Sequence, residues 1–171
     1  MHDSADTLWP RFAAATLDAI VILPFWAAQA VLGISPLSWP GWGLGFAMAF
    51  TASTYFVLMH ARGGQTLGKR AMAVRVVDHA TGGGLTVRQS LLREFPIIAI
   101  NGVLLGLELI LVLIDAEQTA PGIADRYWSL QWLPNLWFIA DAVTALCHRS
   151  RRSLHDFIGD TVVVHCGRRG R

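Results

Sequence analysis

Apolar positions run through this chain in four long blocks, near residues 12–32, 42–60, 95–114 and 130–147, with glycines, prolines and charges gathered between them. Each block is about long enough for a helix to span a hydrocarbon core of about 30 Å. The pattern predicts an all-α membrane protein: a four-helix transmembrane bundle in one domain over residues 1–171. Gly33, Pro36, Pro40 and Gly41 make ISPLSWPGW a tight, uncharged turn between the first two blocks. Between the second and third, AVRVVD alternates like a short strand over 73–77, and Gly82, Gly83 and Gly84 end it. Thr86 with Gln89 predicts a capping box opening a helix that runs towards the third block, with Pro96 kinking or breaking it. After the fourth block, Ser153 reads as an N-cap with an acid, Asp156, at the third position. Gly159 reads as a stop, and 161–164 as a β-branched strand. Short strands are unstable alone, so 73–77 and 161–164 are expected to pair. Segments 61–94 and 148–166 then form a small β/helix cap on one face of the bundle.

Composition agrees with the pattern. Hydrophobic residues make up 53% of the chain against 15% charged, and mean hydropathy is +0.43. That is too apolar for a soluble domain of 171 residues. The N-terminus lacks a cationic region and a small-residue cleavage site, so the first helix is expected to stay in the mature protein. Charge then orients the bundle. The connector carries Arg62, Lys69, Arg70, Arg75, Arg88 and Arg93, and the tail carries Arg149, Arg151, Arg152, Arg168, Arg169 and Arg171. The loop DAEQTAPGIADRYW is net acidic. Basic loops stay in the cytoplasm, which puts the cap and both termini there and the chain in the cell (inner) membrane. Trp39, Trp42, Trp128 and Trp132 would sit at the outer interface and Trp9 at the inner one. Cys147 and Cys166, on the reducing side, are read as free thiols.

Charges inside the apolar blocks are the candidate chemistry. Arg11 and Asp18, seven residues apart, share one helix face about 10 Å apart along the axis. A lone carboxylate at that depth is costly and needs a partner. Asp141 lies at a similar depth from the inner end of the fourth block, and Glu108 lies deeper in the third with Asn101 between. Two carboxylates at one level, Asp18 and Asp141, can share a proton or hold a cation. Small residues four apart at Gly41, Gly45, Ala49 and Ser53, and at Gly102 and Gly106, favour close helix contact. Other chemistries fare worse. Gly63 to Lys69 matches the start of a phosphate-binding loop, but Arg70 stands where a magnesium-binding hydroxyl belongs and no strand precedes it. The histidines lack metal-ligand spacing, no nucleophile stands with a base, and the basic residues beside the blocks meet lipid rather than nucleic acid.

Arg11 and Asp18, the segment GGQTLGKRAMAVRVVD and the closing RRSLHDFIGDTVVV together resemble the RDD family of small membrane proteins, named for one arginine and two aspartates. The resemblance covers nearly the whole chain. It makes Arg11 the arginine, Asp18 the first aspartate and Asp156 the second. It marks Gly64, Thr66, Gly68, Lys69, Arg70 and His155 as family signature. Members carry an acidic residue shortly before the tail's basic run, where this chain has His148, with Asp141 earlier. The resemblance implies a role in ligand or ion transport, with sodium/proton exchange claimed for some members; from the residues themselves neither a cofactor nor an enzyme activity is expected. Three readings stand: an Arg–Asp cluster that only fixes helix register, an ion or proton pathway, and a scaffold. Four short helices are few for a central cavity, so transport calls for a homo-oligomer. Arg11, Asp18 and Asp156 are expected in one charged cluster at the cytoplasmic mouth, Arg11 reaching either aspartate.

Overall fold

The structure is a computed structural model that describes residues 7–166; the first six residues and Arg168, Arg169 and Arg171 lie outside the described residues. In chain order the elements are α1 (Leu8–Val31), α2 (Trp39–Gly63), a short α3 (Leu67–Ala71), β1 (Val74–Asp78), α4 (Val87–Leu113), α5 (Ala116–Thr119), α6 (Pro121–Leu130), α7 (Leu133–Cys147), α8 (Leu154–Ile158) and β2 (Thr161–His165). Three of these, α1, α2 and α4, are long and apolar enough to cross a membrane among the described residues. The block predicted at 130–147 becomes α7, 15 residues and about 22 Å, and is therefore shorter than the others. The loop expected before it is not open chain. It folds into α5 and α6, because Pro121 starts a helix well and no glycine follows Gly122 to end it.

Pro96 neither breaks α4 nor delays it: the helix runs continuously from Val87 to Leu113. The capping box at its start is formed, with the Thr86 hydroxyl accepting from the Gln89 N–H at 3.2 Å and the Gln89 carbonyl oxygen accepting from the Thr86 N–H at 3.0 Å. Gly159 caps α8 as a stop, though not by left-handed backbone, since its φ is −84°. A side chain there would press within 3.0 Å of Arg93 Cβ, so glycine allows α8 to lie close against α4.

α2 and α4 pack antiparallel, with Trp42 Nε1 donating to the Leu105 carbonyl at 3.0 Å at one end and His60 beside Glu94 at the other. Gly45 of the small-residue ridge lies against Leu105 and Glu108, so that ridge is used within the chain, whereas Gly102 and Gly106 of α4 face open space. β1 and β2 pair antiparallel with Val76 opposite Val163. With α3, α8 and an apolar cluster of Val74, Val76, Leu85 and Val163, they form a layer across the helix ends, here called the cap. The distribution of polarity is inverted relative to a water-soluble protein. Ile20, Leu23, Phe50, Phe95, Val103 and Ile110 are each more than half exposed, while Arg93, His60, Asp156 and Thr66 are among the most deeply buried side chains.

Candidate functional site at the cap end of the helices

The N-terminal ends of α1 and α4 and the C-terminal ends of α2 and α7 all meet the cap, and two aspartates organise the junction. Asp156, at the third position of α8, is fully buried. Its Oδ2 accepts from the Arg11 guanidinium, from the Ser153 N–H at 3.1 Å and from the Ser153 hydroxyl at 3.0 Å. Its Oδ1 accepts from the Arg93 guanidinium and from the Thr161 hydroxyl at 3.1 Å. One carboxylate thus ties α1, α4, α8 and β2. Burial alone would push its carboxyl up, but the Arg93 and then the Arg11 charge overcome that and hold it well below the usual carboxylate range. Arg11 also donates to the Arg151 carbonyl. His155 extends the set: its Nε2 lies 2.5 Å from Arg93, and its backbone N–H and Nδ1 reach Asp141 Oδ1 at 3.0 and 2.6 Å. Arg152 clamps the same turn, donating to the carbonyls of Thr161 and Asp156 and lying 4.6 Å over the Phe157 ring.

Asp18 belongs to a different set. It is 4% exposed, and its carboxylate accepts from the Thr66 hydroxyl at 2.5 Å, the Gly68 N–H at 2.9 Å and the Tyr55 hydroxyl at 3.2 Å. All three donors are neutral, and no Lys or Arg forms an ion pair with it among the described residues. The expected single cluster of Arg11, Asp18 and Asp156 is therefore divided. Both arms of Arg11 are committed to Asp156 and Arg151, which face it sideways across the helix ends, while Asp18 lies two turns further along α1 and meets α3. Asp18 and Asp141 share no donor: Asp18 is taken by Tyr55, Thr66 and Gly68, and Asp141 by His155.

GGQTLGKR makes this cradle residue by residue. Gly64 ends α2 at φ +67°, and a side chain there would collide with the Val76 carbonyl, which holds the connector against β1. Gln65 donates to the Val74 carbonyl at 2.8 Å and reaches Cys166 Sγ at 3.1 Å. Thr66 caps α3 by accepting from the Lys69 N–H at 3.3 Å while its hydroxyl proton goes to Asp18. Gly68 lies directly on the Ala14 backbone, with no room for a Cβ, so its N–H can reach the carboxylate. Lys69 Nζ lies 2.6 Å from His60 Nε2, and burial, then the Arg93 charge, push its ammonium down to about 7. Arg70 points to solvent.

Glu108 is apart from both sets, 7% exposed against Gly45 of α2, about 21 Å up α4 from Glu94. Sequence reasoning missed Arg93, Glu94 and His60, counting Arg93 only among the basic residues of the connector; their signal was position, at helix ends that the cap covers. Among the described residues no group of His, Cys, Asp and Glu is arranged to hold a metal ion.

Comparison with known proteins gives one match. The model of the RDD family covers residues 5–160, nearly the whole chain, and so takes in Arg11, Asp18, the Gly64–Arg70 cradle and Asp156. No curated protein and no solved structure matches significantly. The sequence match extends over both aspartate sets and the segment that joins them, and the chain belongs to the RDD family.

Proposed function

We propose that this is a multi-pass protein of the cell membrane that binds and passes a proton or a small cation such as sodium through Asp18. The observation that carries the reading is a buried carboxylate, inside an apolar helix, held by neutral donors alone. An ionised aspartate at the centre of such a helix costs about 2.5–3.5 kcal/mol by insertion estimates. Its charge is available to a proton or to a hard cation, for which the Asp18, Thr66 and Tyr55 oxygens are suitable ligands. Four helix ends alternating N, C, N, C at the cap support four traverses, α7 being the fourth. Arg62, Arg70, Arg88 and Arg149 on the cap, against Arg126 as the one Lys or Arg at the other end among the described residues, support a cytoplasmic cap with both termini inside. Lipid covers the exposed apolar faces, and a homo-oligomer supplies the cavity that four helices lack. No enzyme chemistry, cofactor or nucleic acid enters this reading.

A second reading, a non-transporting scaffold or assembly factor, is favoured by the saturation of Asp156, whose partners leave no site for exchange. Proton and sodium flux into proteoliposomes separates the two. Asp18→Asn keeps an acceptor for Gly68 and Tyr55, so it should remain folded and lose the flux that the wild type shows. Wild-type liposomes no more permeable than empty ones, or full flux from folded Asp18→Asn, would leave the scaffold reading.

A further inference from the structure

Lys69, His60 and Glu94 come from α3, α2 and α4 and meet at the His60 ring. Lys69 Nζ is 2.6 Å from His60 Nε2. The other ring nitrogen is 3.1 Å from Glu94 Oε1, at ion-pair distance but off the line of a hydrogen bond. His60 is 2% exposed, and Glu94 is shared with Arg93, whose Nε lies 3.9 Å away. Arg93 is permanently charged, Asp156 already serves both Arg93 and Arg11, and Glu94 is the further carboxylate at ion-pair distance from Arg93 among the described residues. A neutral amine can both give and take a hydrogen bond with neutral imidazole, so the Lys69–His60 contact does not require an ammonium. We propose that Lys69, His60 and Glu94 are a proton-binding site, and that a proton taken up by Lys69 releases α3 from α2 and opens the cradle around Asp18.

The link to Asp18 is short: Lys69 sits in the same five-residue turn that presents the Thr66 hydroxyl and the Gly68 N–H. The groups that face its amine are His60 from α2, Arg93 and Glu94 from α4, Asp18 from α1 and Asp156 from α8. Burial first, then Arg93, oppose its charge, while Glu94, Asp18 and Asp156 favour it, and the balance sits at about 7. The sign follows by linkage. In the closed cap the amine titrates near 7, but swung out into water it would titrate near ~10.4, so a proton binds the open cap more tightly and acid favours opening. The step is proton binding alone: the Nζ lone pair takes a proton from hydronium, an O–H bond breaks to leave water, an N–H bond forms, and the ammonium leaves the imidazole for solvent. This rests on Asp18 being the ion-binding carboxylate proposed above and adds what controls access to it.

Hydrogen exchange of the 66–72 amides in nanodiscs, corrected for intrinsic rates, reads the opening without any flux. Wild-type protection should fall as pH drops from about 10 to about 7 and level off below it. Lys69→Met should stay protected throughout and Lys69→Arg unprotected throughout. Competitive acetylation of the wild-type protein gives a measurement independent of either variant's folding, with a Lys69 midpoint near 7 expected. A midpoint near ~10.4, or protection that ignores pH or falls equally in Lys69→Met, overturns the inference. Absent flux with pH-dependent opening would refute the transport reading alone.

Discussion

Asp156→Asn should be the most damaging single change in the cap. The carboxylate accepts from two guanidinium groups, two hydroxyls and one backbone N–H, with no water-exposed surface of its own. An asparagine keeps an acceptor on one side only. If its oxygen stays on Arg93 and Thr161, its NH2 group faces the Arg11 and Ser153 donors, leaving the Ser153 N–H unsatisfied at about 1–3 kcal/mol, Arg11 without its anion and Arg93 with Glu94 alone, 3.9 Å away. Removing one member of a buried pair costs about 3–5 kcal/mol, and that is the loss expected. Arg11→Ala should be milder, about 1–3 kcal/mol, because Arg93, Ser153 and Thr161 still satisfy the carboxylate. Thermal and denaturant unfolding in detergent, followed by tryptophan fluorescence, measures both. The pH dependence adds a second constraint. Because the folded carboxyl is held below its usual range, its contribution is complete above the unfolded value of ~3.9 and is lost only as pH falls through the lower folded value. The wild-type advantage over Asp156→Asn should thus be constant from pH ~7 to ~4.5. A loss under about 1 kcal/mol, a loss no greater than that of Arg11→Ala, or an advantage that closes above pH ~4.5 would refute the assignment of Asp156 as the tie between the helices.

Gly68→Ala should cost about 1–3 kcal/mol and detach α3 from α1, since the new methyl would enter the Ala14 backbone; unfolding and exchange of the 66–72 amides measure both effects. Glu108→Leu should leave stability unchanged or raise it, because no hydrogen bond or ion pair reaches this buried carboxyl among the described residues; a fall of more than about 1 kcal/mol in thermal unfolding would reveal a partner. Asp78, whose carboxyl is lowered to about 2 by the Thr81 hydroxyl and N–H and by Gln89, should keep the 79–86 loop protected from exchange down to about pH 3, and Asp78→Asn should loosen it at neutral pH. Single cysteines at 88 and 117 should label from opposite sides of the membrane; labelling from the same side would remove the four-traverse topology.

What the sequence revealed depended on whether the determining interaction was local. The Thr86–Gln89 capping box, the acid three residues after Ser153 and the isolation of two β-branched runs are short-range signals, and they located the α4 start, the α8 cap and the strand pair to within a residue. The pairing of Arg11 was not a local matter. Helical periodicity put Asp18 below it on the same face, but whether an arginine reaches along its helix or across to a neighbour depends on where α8 lies, and α8 is 143 residues further along by number at its start. The GGQTLGKR segment was legible only as a resemblance. Its physical reason, glycines that admit the Val76 carbonyl and the Ala14 backbone and a threonine that is at once helix cap and donor to Asp18, needs three elements in register. Arg93, Glu94 and His60 were masked for a related cause: beside a membrane span a charge usually records topology, and only the cap laid across the helix ends makes these buried.

The bond between Arg11 and Asp156 joins positions 145 apart, and that between Arg93 and Asp156 joins positions 63 apart. During synthesis both arginines emerge long before the anion that neutralises them, and β1 waits 83 residues from Asp78 to its partner Thr161. At ordinary translation rates of about 5–20 residues per second, that leaves several seconds in which the helices are inserted but their ends carry unpaired guanidinium groups and an open strand edge. Until Asp156 is made, those guanidinium groups lack their anion and depend on water for solvation. The closing contact is therefore also an order of events: insertion first, sealing of the cap last, with Asp156 reporting that the whole chain has arrived.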